Sequence, residues 1–456
     1  MKIMLIFPNF LKYGESHPEF ENDVKHYLWG STSIPGLGLP HIAANTPPEH
    51  EIIFVDDQFD EINFDAKVDL VGLSVFTPQL SRAVVIAKKF KEKGIPVAMG
   101  GKHITNNPDE ALQYCNYVFI GEAEITWQLF LKEFQEGKAK RIYRNETIVD
   151  VKKLPLPKRS IVNEKNYPMN IGTLICIRGC GLYCDCCTVD NTEQIAPAKN
   201  RRIFDFDWLA KDIQNTSYQT LYISCNSINH APKDFIIDLL KIFKESGKKF
   251  ILSTTPFDII NKEKQIPGFI KLIIESGIGS FYYALNNIPS ILPIKITERF
   301  IEYTFTNDDI TKKCQDAGIE IIPSIVFGND FDTPDVFEKA SNYLLRNNIS
   351  DCEFTLFTPY PGSPSYKKME EEKRLLTKDW FYYNNAHVVF KPTKMSSEEL
   401  LKGYISIWKN FINKNRNEFK NIHISNLFKT GEYLQKRKNR KLDLTDFAHF
   451  NENFKK

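Results

Sequence analysis

Five of the nine cysteines in this 456-residue chain, Cys176, Cys180, Cys184, Cys186 and Cys187, fall within twelve positions of one another. Thiols at that density either hold metal or exchange disulfides. The apolar start, Met1 to Phe7, stops at Pro8-Asn9 without a small-residue cleavage site, which fits a first buried strand better than an export signal. A disulfide framework is therefore not expected. One triplet alone has the spacing C-x3-C-x2-C: Cys180, Cys184 and Cys187. Thiolates are the natural ligands of a four-iron cluster, which ordinarily takes four of them, so three from one loop leave one iron open to another molecule. Gly179 and Gly181 allow the backbone to approach such a group closely. The competing reading is a zinc knot or unrelated buried thiols, but zinc asks for four ligands in pairs and no second pair with a nearby His is present.

The elements around this loop decide where it stands. From residue 1 to about 145, short apolar runs alternate with helical or turn segments: Ile3 to Phe7, Glu51 to Val55, Asp69 to Val75, Ile95 to Met99 and Tyr117 to Ile120. Most are continuously apolar, as parallel strands buried on both faces should be. With helices over 81–93 and 125–137, they predict a doubly wound, Rossmann-like sheet whose ligand sits beyond the carboxyl ends of the strands. Residues 143–169 are polar and proline-punctuated and read as a linker. A second alternating series places strands at 172–177, 220–225, 249–254, 279–285, 319–327 and 352–359, with helices at 232–244, 269–276 and 334–345. Six such units predict an open, partial (β/α)6 barrel. The cysteine loop follows its first strand. Past residue 366 the pattern is mainly helical, with Ser396 and Glu399 forming a capping box for a helix to about Asn413. The expected domains are thus 1–142, a linker 143–169, 170–365, and a C-terminal extension 366–456.

At Arg178-Gly179-Cys180-Gly181-Leu182-Tyr183-Cys184-Asp185-Cys186-Cys187 the chain resembles the radical S-adenosylmethionine superfamily. That resemblance implies a 4Fe-4S cluster on Cys180, Cys184 and Cys187, with S-adenosylmethionine chelated by the open iron and cleaved to a 5'-deoxyadenosyl radical. A closed, dry barrel must shield that radical. Relatives usually carry an aromatic residue before the last motif cysteine, where this chain has Cys186. A redox or ligand role and a small apolar filler are the two readings of that thiol. Asn226 and Asn286, at the ends of the second and fourth barrel strands, stand where many relatives place acidic residues that hold S-adenosylmethionine; turn-forming Asn is the plainer reading.

The first domain resembles the cobalamin-binding modules fused to such enzymes through Gly36-Leu37-Gly38-Leu39-Pro40, Gly72 to Thr77, Gly100-Gly101-Lys102-His103 and Gly121-Glu122-Ala123-Glu124. Pro359 to Pro364 and Leu375 to Trp380 are similar to the same subfamily's barrel exit, so the likeness runs from about residue 1 to 410. It implies a cobalamin held by Ser74, Thr77, Gly100, Gly101, His103, Gly121 and Glu122. Glycines at strand ends let backbone N–H groups reach a large ligand, and Ser74 and Thr77 offer hydroxyls. A D-x-H-x-x-G signature is absent, so cobalt lacks that imidazole; Phe76 to Gln79 is expected at its lower face. His103 is expected to bond the tail or a backbone group rather than cobalt.

The implied function is a cobalamin-dependent radical methyltransferase acting on an unactivated carbon, with methylcobalamin delivering the methyl group. A radical rearrangement or cyclisation without methyl transfer, or a cofactor-binding scaffold without turnover, are the alternatives. A small molecule, lipid or peptide is the expected substrate, and a flavodoxin or ferredoxin the expected electron donor. The formal charge of +2 is too small to imply a polyanionic partner. The basic tail Lys436 to Lys441 reads as a solvated face rather than a nucleic-acid contact. No apolar run approaches a membrane span, and a cytoplasmic location is expected.

Overall fold

The computed structural model describes residues 1–11, 16–17, 34–167, 169–179, 184–188, 201–225, 228, 231–285, 295–296, 299–300, 306–415 and 444–448. Two six-stranded, all-parallel sheets organise them. The first contains β1 (Lys2–Phe7), β2 (Glu51–Asp56), β3 (Leu70–Ser74), β4 (Val97–Gly100), β5 (Tyr117–Ile120) and β6 (Ile142–Arg144), in the order β2-β1-β3-β4-β5-β6. Alternate residues of β1 enter different cores. Met4 and Ile6 pack with Ala83, Ile86 and Phe90. Ile3 and Leu5 pack with Trp127, Phe130 and Leu131. Helices therefore cover both faces, as a doubly wound sheet requires. The sheet has one strand more than the five apolar runs suggested: β6 is three residues long with only Tyr143 buried, too short and too polar to stand out by pattern.

The helices of this half are α1 (Gly38–Ala44), α2 (Leu80–Glu92), α3 (Lys102–Asn106), α4 (Pro108–Ala111) and α5 (Glu124–Gln135). The linker region holds three short 3-10 turns rather than a regular element. Within it, Arg159 is buried and pairs with Asp212 through two N–H···O bonds of 2.9 and 2.7 Å.

The second sheet comprises β7 (Ile171–Leu174), β8 (Thr220–Ile223), β9 (Lys249–Thr254), β10 (Ile278–Leu285), β11 (Glu320–Phe327) and β12 (Glu353–Leu356), neighbours in chain order. Connecting helices α6 (Phe206–Gln214), α7 (Lys233–Ser246), α8 (Pro256–Gln265), α9 (Phe269–Glu275), α10 (Asn307–Asp316) and α11 (Val336–Arg346) follow the strands. Among the described residues no ladder joins β7 to β12, so the six units form an open, barrel-type sheet. Leu221, Ile223, Leu252, Phe281, Ile325 and Phe354 belong to the core beneath the helices.

Two helices extend the chain beyond the barrel, α12 (Pro364–Glu371) and α13 (Ser397–Asn415). The capping box of α13 is formed: the Ser396 N–H donates to Glu399 at 2.8 Å, and the Glu399 N–H to Ser396 Oγ at 3.1 Å. These reciprocal bonds satisfy two backbone donors that a helix start leaves open. The basic tail Lys436 to Lys441 lies outside the described residues.

Candidate functional site

The carboxyl ends of the two sheets adjoin, and those of the residues singled out above that the structure describes gather there. Cys184 and Cys187 sit on one turn, closed by a Cys187 N–H to Cys184 O bond of 3.0 Å. Cys184 and Cys186 are exposed and Cys187 is half-buried. Cys180, Asn226 and Asn286 lie outside the described residues. Behind the turn, Ser365 at the start of α12 holds the Asp185 carbonyl twice, through its N–H at 2.9 Å and its Oγ at 2.6 Å. The Pro359 to Pro364 stretch thus leads into the residue that fixes the cysteine turn. Cys176 and Cys225, which spacing left apart, are neighbours at the ends of β7 and β8: the Cys176 N–H donates to Cys225 Sγ at 3.0 Å. Burial pushes the Cys176 thiol well above its ordinary range.

Along the first sheet's edge, each expected ligand contact has a definite place. Ser74 ends β3. Gly101 has φ +103°, and a Cβ there would lie 2.6 Å from the Val75 nitrogen, so this glycine lets the β3 and β4 ends close on each other. Gly100 accepts the Val75 N–H at 2.9 Å. His103 is buried; its Nδ1 lies 3.3 Å from Thr77 Oγ1 and its Nε2 faces Glu110 at 3.4 Å. Its ring stands edge-on to Trp380, 5.3 Å away, whose Nε1 donates to Glu110 at 2.8 Å. The Thr77 and His103 side chains are thus engaged with each other and with the C-terminal region. The Gly121 N–H donates to Thr105 Oγ1 at 3.0 Å.

What remains open on this edge is apolar and flat. Phe76 is 51% exposed and packs edge-on against Phe7. Among the described residues nothing lies within 4 Å of the place of a Gly36 Cβ, and Ser74 Oγ alone, at 4.0 Å, approaches that of a Gly38 Cβ. An aromatic ledge beside side-chain-free backbone suits a broad planar ligand.

Glu122 and Glu124 instead meet arginines flanking the cysteine loop. Arg178 Nη1 reaches Glu124 at 2.6 Å and Glu122 at 3.4 Å, and Arg202 Nη2 reaches Glu122 at 2.9 Å. Neither arginine was evident beforehand, because their partners lie more than fifty residues away in the chain. His41, buried nearby with both ring nitrogens unbonded among the described residues, is pushed down to about 3 by burial and by Arg178 and Arg159.

On the barrel face turned from the helices, Tyr282 and Ser324 both donate to Glu353 Oε2, the serine at 3.2 Å. Tyr222 stands perpendicular to Tyr282, 6.0 Å away. Burial pushes the Glu353 carboxyl up to about 7. Asp351 also rises to about 7, through burial and then the charge of Glu320. This polar interior was not read from the sequence, although Tyr222, Tyr282 and Ser324 alternate with core residues at strand period.

Residues 37–131 match the B12 binding domain family. Over 400 residues the chain is 26% identical to the bacteriochlorophyllide d C-8(2)-methyltransferase of Chlorobaculum tepidum, covering 82% of this chain and 86% of that protein. It is 25% identical over 392 residues to the C-12(1)-methyltransferase of the same organism, covering 83% and 82%. Among solved structures, the radical S-adenosylmethionine methyltransferase TsrM from Kitasatospora setae, with cobalamin and a 4Fe-4S cluster bound, superposes with a TM-score of 0.57. That match covers 81% of this chain and 78% of TsrM at 15% identity, and it shows a shared fold. The chain thus joins a match to the B12 binding domain family to a barrel-type sheet, shares its fold with TsrM, and is similar over most of its length to the two Chlorobaculum methyltransferases.

Proposed function

We propose that the protein is a cobalamin-dependent radical S-adenosylmethionine methyltransferase acting on an unactivated carbon. The observation that carries the reading is the cysteine turn at the carboxyl edge of the barrel, adjoining the open edge of the B12-binding sheet. Both sites suit their cofactors in residue chemistry. Thiols on one turn are iron-sulfur donors, and the Phe76 ledge with the space before Gly36 accepts a flat macrocycle. When bound, the cluster and S-adenosylmethionine supply a hydrogen-abstracting radical and cobalamin supplies the methyl group. The chain's own residues position and enclose: Cys180, Cys184 and Cys187 hold the cluster, Ser365 fixes their turn, and the strand-end residues Ser74, Thr77, Gly100, Gly101, His103 and Gly121 shape the cobalamin edge. Asn226 and Asn286 serve S-adenosylmethionine. Tyr222, Tyr282, Ser324 and Glu353 present hydrogen-bonding groups to whatever enters the barrel. The named activity of the two Chlorobaculum relatives, methylation of bacteriochlorophyllide d, supports this reading. The substrate is a small molecule, lipid or peptide, the electron donor a flavodoxin or ferredoxin, and the location cytoplasmic. Among the described residues no helix is long and apolar enough to cross a membrane.

Anaerobic purification followed by iron, sulfide and cobalt analysis tests the assignment. We expect four irons, a bound cobalamin spectrum and 5'-deoxyadenosine on reduction, with cluster and cleavage lost in Cys184→Ala and Cys187→Ala. Zinc in place of iron, or full cleavage by either variant, overturns it. Transfer of a labelled methyl group from S-adenosylmethionine to a compound in cell extract separates methylation from rearrangement.

A further inference from the structure

The loop carrying the cysteines is closed at its neck by a short antiparallel ladder, in which Ile177 pairs with Ile203 and Arg178 with Arg202. The two arginines thus stand opposite each other, one on either side of the loop, and both reach Glu122 at the end of the first sheet's β5. Arg202 also donates to Glu122 Oε2 and, at 3.2 Å, to the Val149 carbonyl. Glu124 completes the set by holding Arg178. All four side chains are at most a quarter exposed, so the pairs are little screened by solvent. Two guanidiniums forced together by the ladder need the carboxylates between them; without Glu122 the arginines repel and the neck loosens.

A second tie runs to the loop's other end. Asn106, on α3 just after the Gly100-Gly101 turn, donates to the Pro361 carbonyl at 2.9 Å. Four residues on, Ser365 holds Asp185 inside the cysteine turn. The edge of the first sheet between Gly100 and Glu122 is therefore fastened to both the neck and the tip of the loop.

We propose that Glu122 is a positioning residue coupling the two cofactor sites, so that an assembled cluster raises the affinity for cobalamin and bound cobalamin raises the affinity for the cluster. This rests on the reading of Cys180, Cys184 and Cys187 as cluster ligands. Each cofactor orders its side of the same ion-pair set, and the second to arrive finds the set already ordered. Such couplings are typically 5- to 150-fold and, for binding, reciprocal. Direct contact of Glu122 with cobalamin makes a different prediction: affinity then falls equally with or without iron in the loop.

The test uses the full chain, iron-free and anaerobically reconstituted, with hydroxocobalamin as the probe and binding read from tryptophan quenching. Wild type is expected to bind about tenfold more tightly once reconstituted. Glu122→Gln is expected to lose that gain, binding hydroxocobalamin with one affinity whether iron-free or reconstituted. Arg202→Gln is expected to do the same, with no further loss in the double variant. A gain preserved in Glu122→Gln, or an equal loss of affinity in both states, overturns the proposal. The reciprocal arm needs no variant: hydroxocobalamin is expected to raise about tenfold the chelator concentration that removes half of the iron from reconstituted wild type at equilibrium, and an unchanged midpoint overturns the coupling. A wild-type chain that takes up no iron or sulfide removes the cluster reading itself, a failure distinct from either.

Discussion

Glu353 is a buried carboxyl whose chemistry departs from its type. Its Oε2 is held by Tyr282 and Ser324, yet burial keeps its carboxyl near 7 against about 4.3 in an unfolded chain. Asp351 behaves alike. Between these values the folded protein keeps protons that the unfolded chain has released, so the pair contributes stability that is complete below about pH 4 and is lost as pH rises through about 7. His41 and His387, both pushed down to about 3 by burial, act oppositely, with stability increasing as pH rises to about 6.5. The difference between wild type and the Asp351→Asn/Glu353→Gln variant isolates the carboxyls. From pH 5 to pH 8, the unfolding free energy of wild type should fall by about 5 kcal/mol relative to the variant, roughly half from each carboxyl. Denaturant titrations across that range check this, and parallel slopes would remove the claim. The same protonation gives the barrel interior a group that changes from donor to acceptor near neutral pH, so activity should depend on pH there and Glu353→Gln should flatten that dependence.

At the scale of elements, two glycines assigned above to the proposed cobalamin edge have opposite predicted fates. Gly101 combines a left-handed backbone with a Cβ position filled by Val75, so Gly101→Ala should lower stability by about 2–4 kcal/mol. Gly36 faces open space. Gly36→Ala should leave the melting temperature within a degree or two and weaken hydroxocobalamin binding instead, because the added methyl group projects where a flat ligand would lie. A thermal melt and a binding titration on both variants separate the two roles. The Ser396 cap offers a plain calibration: Ser396→Ala removes one side of the capping box of α13 and should cost about 1 kcal/mol.

Across the whole molecule, the linker is held by a buried charge pair. Arg159 is 7% exposed and Asp212, on α6, is wholly buried. Arg159→Ala strands that carboxylate and should destabilise the chain by about 3–5 kcal/mol, whereas replacing both partners with apolar residues should cost much less; chemical denaturation of single and double variants decides. The parallel strands were most legible where apolar runs are unbroken, as in Ile3 to Phe7 of β1, Leu70 to Leu73 of β3 and Phe250 to Leu252 of β9, since such runs suit a core on both faces. The cysteine loop was legible because three ligands on one loop leave a short-range signature. β6 was hidden by its length, and the Glu122, Arg178 and Arg202 set by its partners' distance in the chain. The barrel's acidic interior was hidden because strand alternation shows which face a residue takes but not what enters that face. All six strands of the first sheet precede Cys176, the earliest of the clustered thiols, so on the ribosome the vitamin-binding half has its full set of strands before any of those thiols is synthesised. A nascent chain can thus meet the iron delivery machinery with a folded template already beside it, and a released chain truncated shortly after Arg144 should resist pulse proteolysis.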